Sequence, residues 1–322
     1  MVEAMFNAVI RRKLNSASNG ALTILQYHKV PLCAPKYIEG EVLASDFSWG
    51  LEQFKEWFNF LPLEEAIHRL KSHDLPPRSA VLSFDDGYAD WFDHVVPALL
   101  AHKVPATFFV TSAQLNCSKP FWHERVAVAL AKRGVDRLPH GFNFATGTGA
   151  EIGLAQTIIA VQNQLKYLPL AEREAAIAVL EADLPLSGDY RPFRSADLIR
   201  LRDAGFQIGG HSRHHPILTS CDATQAKDEI GGCKEELEGI LREPVTAFAY
   251  PNGRPDCDFN ASHVALVEAV GYRYAVTTAP GVSRSDTDLF QLPRFTPWAR
   301  SSWRSALQFL RNMRVSPQMV KV

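Results

Sequence analysis

Val81-Leu82-Ser83-Phe84-Asp85-Asp86-Gly87-Tyr88-Ala89-Asp90 is the stretch around which the chain is organised. Ala80 to Phe84 is an apolar run with the length of a buried strand, and it stops at two adjacent carboxylates and a glycine. Successive side chains at a strand end point in different directions, so one Asp can bind a cation while the other reaches what that cation holds. Gly87 frees the backbone to turn there. Two bare carboxylates at the mouth of a core strand repel each other and are costly to desolvate, so they call for a compensating positive charge. An Asp before a helical run (88–101) is also a common helix cap, and the stretch by itself is compatible with either role.

The 322 residues suffice for one large domain or two ordinary ones, and 46% apolar with 21% charged residues is a globular composition. A net charge of -1 with scattered Lys and Arg offers no electrostatic footprint for nucleic acid. Arg11-Arg12-Lys13 reads as the solvated end of a short N-terminal helix. Cys33, Cys117, Cys221, Cys233 and Cys257 are irregularly spaced without a CxxC, which fits reduced thiols better than a disulfide framework. Glu3 and the Arg pair make a poor signal peptide, and no run approaches the ~18 apolar residues of a membrane span. The expectation is a soluble, cytoplasmic protein with no membrane span and no nucleic-acid partner.

Residues 1–20 read as an N-terminal helix and polar linker, and the rest, 21–322, as one domain. Strands are predicted at 22–27, 80–84, 106–110, 206–210, 245–249, 274–277 and 290–295, most of them separated by helical patterns. Residues 32–50 read as loop, with a helix at 51–59. Between about 116 and 190 the pattern changes to helices flanking a Gly-rich piece, 141–149, with no strand evident. The fold class is therefore α/β, a distorted seven-stranded (β/α) barrel with a helical insertion after the third strand. A barrel is favoured over an open sheet because polar residues close strand after strand: His28, Asp85-Asp86, Thr111, His211, Tyr250 and Arg294.

Gly209-Gly210-His211-Ser212-Arg213-His214-His215-Pro216 is the second informative stretch. His211 and His215 are four apart, and with one carboxylate from 85–86 they make three protein ligands and an open position, the composition of a catalytic divalent-metal site. The competing view, a solvated histidine-rich loop, loses ground beside two carboxylates at a neighbouring strand end.

Phe84-Asp85-Asp86-Gly87, His211-Ser-x-x-His215-Pro216 and Phe248-Ala-Tyr-Pro251-x-Gly253 resemble, in order and spacing, the motifs of the polysaccharide deacetylases. This is the NodB-homology group, carbohydrate esterase family four, here in a form with a Phe-x-Tyr-Pro third motif. The resemblance covers about residues 22–115 and 192–295 and implies a distorted barrel of about seven strands. It implies that Asp86, His211 and His215 bind the metal, that Asp85 is the general base, and that the backbone N–H of Tyr250 is an oxyanion donor. Zinc is the metal expected of two histidines and an aspartate, with cobalt or nickel also accepted.

Two departures stand out. The third motif lacks the Arg that orients the base in many members, and the late strand lacks the His that protonates the leaving amine. His28, in Gln26-Tyr27-His28, is the candidate for that proton, against an alternative as a strand-end hydrogen-bonding residue. Arg294 stands where the late His would be and could steady Asp85, contact the sugar or form a structural ion pair. His123 and Glu124 could be substrate contacts or cap their helix, and Trp122 and Trp298 could stack on a sugar or belong to the core. The expected function is removal of an N-acetyl group from an amino sugar in a polysaccharide or its biosynthetic precursor. The alternatives are an O-acetyl esterase, a small-amide hydrolase, or a non-catalytic carbohydrate-binding barrel.

Overall fold

A computed structural model of the protein describes residues 2–33, 41–134, 142, 153–184 and 190–321. Among these, seven strands form one parallel sheet: β1 (Thr23–Tyr27), β2 (Asn59–Phe60), β3 (Ser79–Phe84), β4 (Ala106–Val110), β5 (Gln207–Gly210), β6 (Ala247–Ala249) and β7 (Tyr274–Val276). The path runs β1-β3-β4-β5-β6-β7, with β2 paired to the start of β3. The edges of the curled sheet are joined through one segment: Leu292 bridges Val276 on one side, and Phe295 bridges Leu25 on the other. Thr277 N–H donates to Leu292 O at 2.9 Å and Gln26 N–H to Phe295 O at 3.0 Å. This segment was expected as the last strand. Pro293 has no N–H and interrupts the ladder, so it forms two bridges instead, while the two-residue β2 was not foreseen.

Alternation along the strands sorts their side chains between two cores. Leu25, Tyr27, Leu82, Phe84, Phe108, Val110, Ile208 and Phe248 pack outward beneath the helices. Ile24, Val81, Phe109, Ala247, Ala249, Val276 and Leu292 fill the concave face, together with Leu63, Ile67 and Leu70 of α3 (Leu63–Lys71). Continuing the concave parity past the strand ends gives Gln26, His28, Asp85, Thr111, His211 and Arg294. The period that buries the barrel core therefore also aims the polar residues at one place. Gly209 is required on this face, because a Cβ there would lie 2.4 Å from the Phe109 ring.

Helices cover the convex side. α1 (Val2–Ser18) is longer than its sequence suggested, running through the expected linker, and it packs by Ile10 and Leu14. Its Asn7 accepts from Gln53 Nε2 and Trp57 Nε1, each at 2.9 Å, on α2. α2 (Ala44–Trp57) begins inside the expected loop; Phe47, Leu51 and Phe54 lie on one helical face over the core, and that burial outweighs the weak propensity of Ser45, Ser48 and Gly50. α4 (Val95–His102) follows a short 3₁₀ turn at Ala89–Phe92. Between β4 and β5, α5 (Trp122–Arg133), α6 (Leu154–Leu165) and α7 (Leu170–Glu181) surround a core of their own built on Leu130, Ile158, Val161 and Ile177. The expected Gly-rich piece, 141–149, lies outside the described residues except for Phe142. α8 (Ser195–Asp203) leads into β5; α9 (Ala223–Lys227) and α10 (Cys233–Leu241) are joined by a π-helical turn, and α11 (Ala261–Ala269) and α12 (Ser302–Asn312) complete the fold. Among the described residues, no helix is long and apolar enough to cross a membrane.

Candidate active site

The polar strand ends line a cleft of about 690 Å³ that includes Gln26, His28, Asp85, Asp86, His123, His211 and His215. Asp85 is buried at the end of β3, and Arg294 grips both of its oxygens, Nη1 to Oδ1 and Nη2 to Oδ2, each at 2.7 Å. Gln26 Nε2 donates to Oδ2 at 2.8 Å. Arg294 is itself buried and held by Nε–H to Thr277 O at 2.9 Å and by Nη1 to Ser83 Oγ at 3.3 Å. Burial alone would raise the pKa of Asp85; the Arg294 guanidinium, with His211, outweighs it and holds the carboxyl below the usual range. Of the three roles open to Arg294, the structure places it on Asp85. An arginine, absent from the third motif, thus reaches Asp85 from the barrel-closing segment.

Asp86 turns back toward the cleft. Its φ of 86° lies in the left-handed region that Asp tolerates better than most residues, and Gly87 follows at 113°. Asp86 Oδ1 lies 3.5 Å from His211 Nε2 and 3.5 Å from His215 Nε2. His211 Nδ1 is 2.7 Å from Ala249 O, which assigns the proton to Nδ1 and leaves the Nε2 lone pair facing Asp86. His215, in the left-handed region at φ 54°, stands with its ring 4.8 Å from that of His211, and its N–H donates to Ser212 Oγ at 3.1 Å. Burial and the neighbouring His211 push the His215 pKa down to about 3, so this imidazole is neutral at physiological pH. The ligand atoms of Asp86, His211 and His215 all lie within 4.8 Å of one another. Tetrahedral bonds of about 2.1 Å put ligand atoms about 3.4 Å apart. Separations of 3.5 Å are loose for hydrogen bonds but fit three donors around one cation.

Supporting contacts hold the 211–215 loop. Glu229, buried on the π-helical turn between α9 and α10, accepts from His214 N–H at 2.8 Å and lies 2.7 Å from its Nδ1, which turns His214 away from its two neighbours. Arg173 of α7 donates to the carbonyls of His214 and His215 at 3.3 and 3.4 Å and stacks on Trp122 at 4.8 Å. Gln26, Glu229 and Arg173 were not singled out from the sequence. Gln26 alone carried a signal, as a polar residue inside an apolar strand.

The remaining expected residues divide. His28 is half-exposed in the cleft, with Nε2 3.9 Å from Asp85 Oδ2 and 3.4 Å from Gln26 Nε2. Tyr250 requires a correction: its N–H donates to Val276 O at 3.2 Å in the β6–β7 ladder, and its buried ring reaches Phe290 O through the hydroxyl at 3.1 Å, so the donor expected of it is already engaged. Asn252, two residues on, lines the cleft instead. His123 Nε2 lies 3.1 Å from Tyr88 Oη on the cleft wall, while Glu124 is engaged by Lys29 at 2.6 Å and by its own helix start. Trp122 lines this cleft and Trp298 an adjoining hollow.

A curled parallel barrel that gathers an Asp-Asp pair and two histidines at its strand ends has the layout of a hydrolase of the (β/α)-barrel class. The sequence matches the family described as "Polysaccharide deacetylase" over residues 72–152 and 170–275, and the chain belongs to that family. It is 28% identical over 90 residues to "Putative polysaccharide deacetylase YxkH" of Bacillus subtilis (strain 168), a match spanning 31% of that protein. The fold is shared with a Streptococcus pyogenes deacetylase, PplD, at TM-score 0.59 and 19% identity, covering 92% of this chain and 99% of that one. It is shared too with IcaB from Ammonifex degensii, at 0.58 and 15%, covering 90% and 97%.

Proposed function

We propose that this protein hydrolyses the amide of an N-acetylated amino sugar, releasing acetate and the free amine, with the sugar in a polysaccharide or a biosynthetic precursor. The observation that carries the reading is the division of labour between adjacent carboxylates: Asp86 faces two histidine nitrogens, while Asp85 faces Arg294. Asp86, His211 and His215 would hold one divalent cation, zinc by its donor set, with cobalt or nickel also accepted. Such an ion, when bound, supplies polarisation of the acetyl carbonyl and acidification of water.

The chain's own residues do the rest. Asp85 takes the proton of the attacking water; Arg294 and Gln26 occupy three of its acceptor positions and leave one on Oδ1 for that proton. As the carbon–nitrogen bond breaks, the nitrogen needs a proton, and His28, beside Asp85 and open to the cleft, delivers it. Arg294 on Asp85 supports a working base rather than a barrel that only binds sugar. Free thiols at all five cysteines are compatible with the cytoplasm, where a precursor is the fitting substrate.

Metal content per chain tests this directly. Wild type and Asp85→Asn should each hold about one ion and Asp86→Ala none, while Asp85→Asn lowers acetate release about 10²–10⁴-fold. Wild type without metal after zinc reconstitution would overturn the hydrolytic reading.

A further inference from the structure

The helices α1 and α12 meet over α2. Gln53 of α2 sits between them: its Nε2 donates to Asn7 Oδ1 of α1 at 2.9 Å, and its Oε1 accepts from Ser302 Oγ of α12 at 2.6 Å. Phe6 and Phe309 approach the Trp57 ring from the two helices, at centroid distances of 6.4 and 6.2 Å. Their inner faces are thus engaged, through Ile10 and Leu14 on α1 and Ala306 and Phe309 on α12. Their outer faces carry large apolar side chains. Met5 and Val9, one turn apart on α1, are 68% and 47% exposed; Trp303 and Leu307, one turn apart on α12, are 59% and 39% exposed. Single exposed apolar residues are ordinary, but two such pairs on neighbouring helices make a patch.

The same two stripes run on into cations. Arg12 continues the Met5–Val9 stripe at helical spacing, and Arg311 and Arg314 continue the stripe of Trp303 and Leu307. Arg304 lies over the Trp303 ring at 5.2 Å. Among the described residues, Arg12, Arg304, Arg311 and Arg314 have no carboxylate at ion-pair distance. No Asp or Glu follows Asp288, so this end of the molecule is basic although the chain's net charge is -1. Trp and Leu interleaved with Arg on an outward helix face are the composition of a helix that rests in a lipid interface, its apolar side chains among the headgroups and its cations on anionic lipid. A second copy docked through the same patch would set Arg311 and Arg314 against their own counterparts. Nucleic acid would pair the cations but press Met5, Val9 and Leu307 against phosphate. An anionic bilayer satisfies both halves of the face.

We infer that the outer face of α1 and α12 is a docking surface for an anionic lipid bilayer. Thr296 lines the cleft shortly before α12 begins, so docking there holds the cleft beside the membrane. The test is co-sedimentation of the full chain with vesicles of phosphatidylcholine alone and of an equal mixture of phosphatidylcholine and phosphatidylglycerol. Wild type should bind the mixed vesicles at least about tenfold more tightly at low salt, and high salt should erase most of that difference. Arg311→Gln with Arg314→Gln, and separately Trp303→Ser with Leu307→Ser, should each weaken binding about tenfold or more. Lys227→Gln, an exposed cation on α9, should leave it unchanged. Brominated phosphatidylcholine in the mixed vesicles should quench wild-type tryptophan fluorescence, and Trp303→Phe should remove much of that quenching. These side chains are exposed, so unfolding midpoints should match wild type. Equal binding to both kinds of vesicle, or none to either, overturns the inference. Binding that neither double variant weakens, or quenching that survives Trp303→Phe in full, overturns this face as the docking surface. A dimer in sedimentation velocity that Trp303→Ser with Leu307→Ser abolishes, without vesicle binding, assigns the face to a second copy instead.

Discussion

Arg294 carries more of this site than its position in the sequence advertises. A buried carboxylate and a buried guanidinium are each expensive to desolvate, and they persist because two parallel 2.7 Å contacts and the bonds to Thr277 and Ser83 satisfy both. Removing one partner strands the other. Arg294→Met should therefore cost about 3–5 kcal/mol in chemical unfolding. Pairing it with Asp85→Asn should recover most of that loss, since the stranded charge is then gone. Arg294→Lys should keep part of the stability but lose activity, because a point charge cannot orient both oxygens. If Arg294→Met and the double variant unfold alike, the ion pair is not what holds Asp85. The same residue marks a limit of sequence reading. That His211 and His215 would meet one of the two carboxylates was legible from their spacing; that it is Asp86 rather than Asp85 was implied only by the family resemblance. For Arg294 the sequence left three roles open, Asp85 among them, since the choice depends on which face the barrel-closing segment presents.

Among the elements, those buried on both faces announced themselves. β3 and β4 are largely apolar and fully buried, and their expected ends fall within a residue of the observed ones. α2 was read too short, because Gly50 and two serines mask a stripe visible only once the barrel supplies a surface for it. β2, two residues long and directly after α2, has no strand period of its own and exists by pairing with β3. The 3₁₀ turn Ala89–Phe92 was merged into the helix after it, and it sets Asp90 in a half-buried place. Burial raises its pKa to about 6, against the pull of Lys29. The folded form therefore binds more protons than the unfolded chain between about pH 4 and 6, so this group's contribution to stability falls as pH rises through that window. Asp90→Asn should stabilise the protein by about 1–2 kcal/mol at pH 7.5 and by little at pH 4, read from denaturant midpoints at the two pH values. An equal gain at both would mean that ionisation is not the cause.

At the scale of the whole molecule, the barrel and a separately cored group of helices meet over one cleft. The barrel supplies Asp85, Asp86 and the histidines; the three helices between β4 and β5 supply Trp122, His123 and Gln162, and among the described residues Glu124 is tied to Lys29 and His123 to Tyr88. Gln162 Nε2 donates to His123 O at 2.9 Å within the helices, whereas Arg173 crosses to the 211–215 loop and Tyr167 to Asp258 at 3.2 Å. We propose that these helices are an insertion that loses structure as a unit of its own, apart from the barrel. Leu130 is fully buried in their separate core, and Leu130→Ala should remove about 2–5 kcal/mol there. Hydrogen exchange locates the loss. Amides of α5, α6 and α7 should exchange faster by a factor matching that energy, while those of β3 and β4 keep wild-type protection, because a separate core confines the cavity's cost to its own unit. Equal acceleration in both would mean that the helices and the barrel open together.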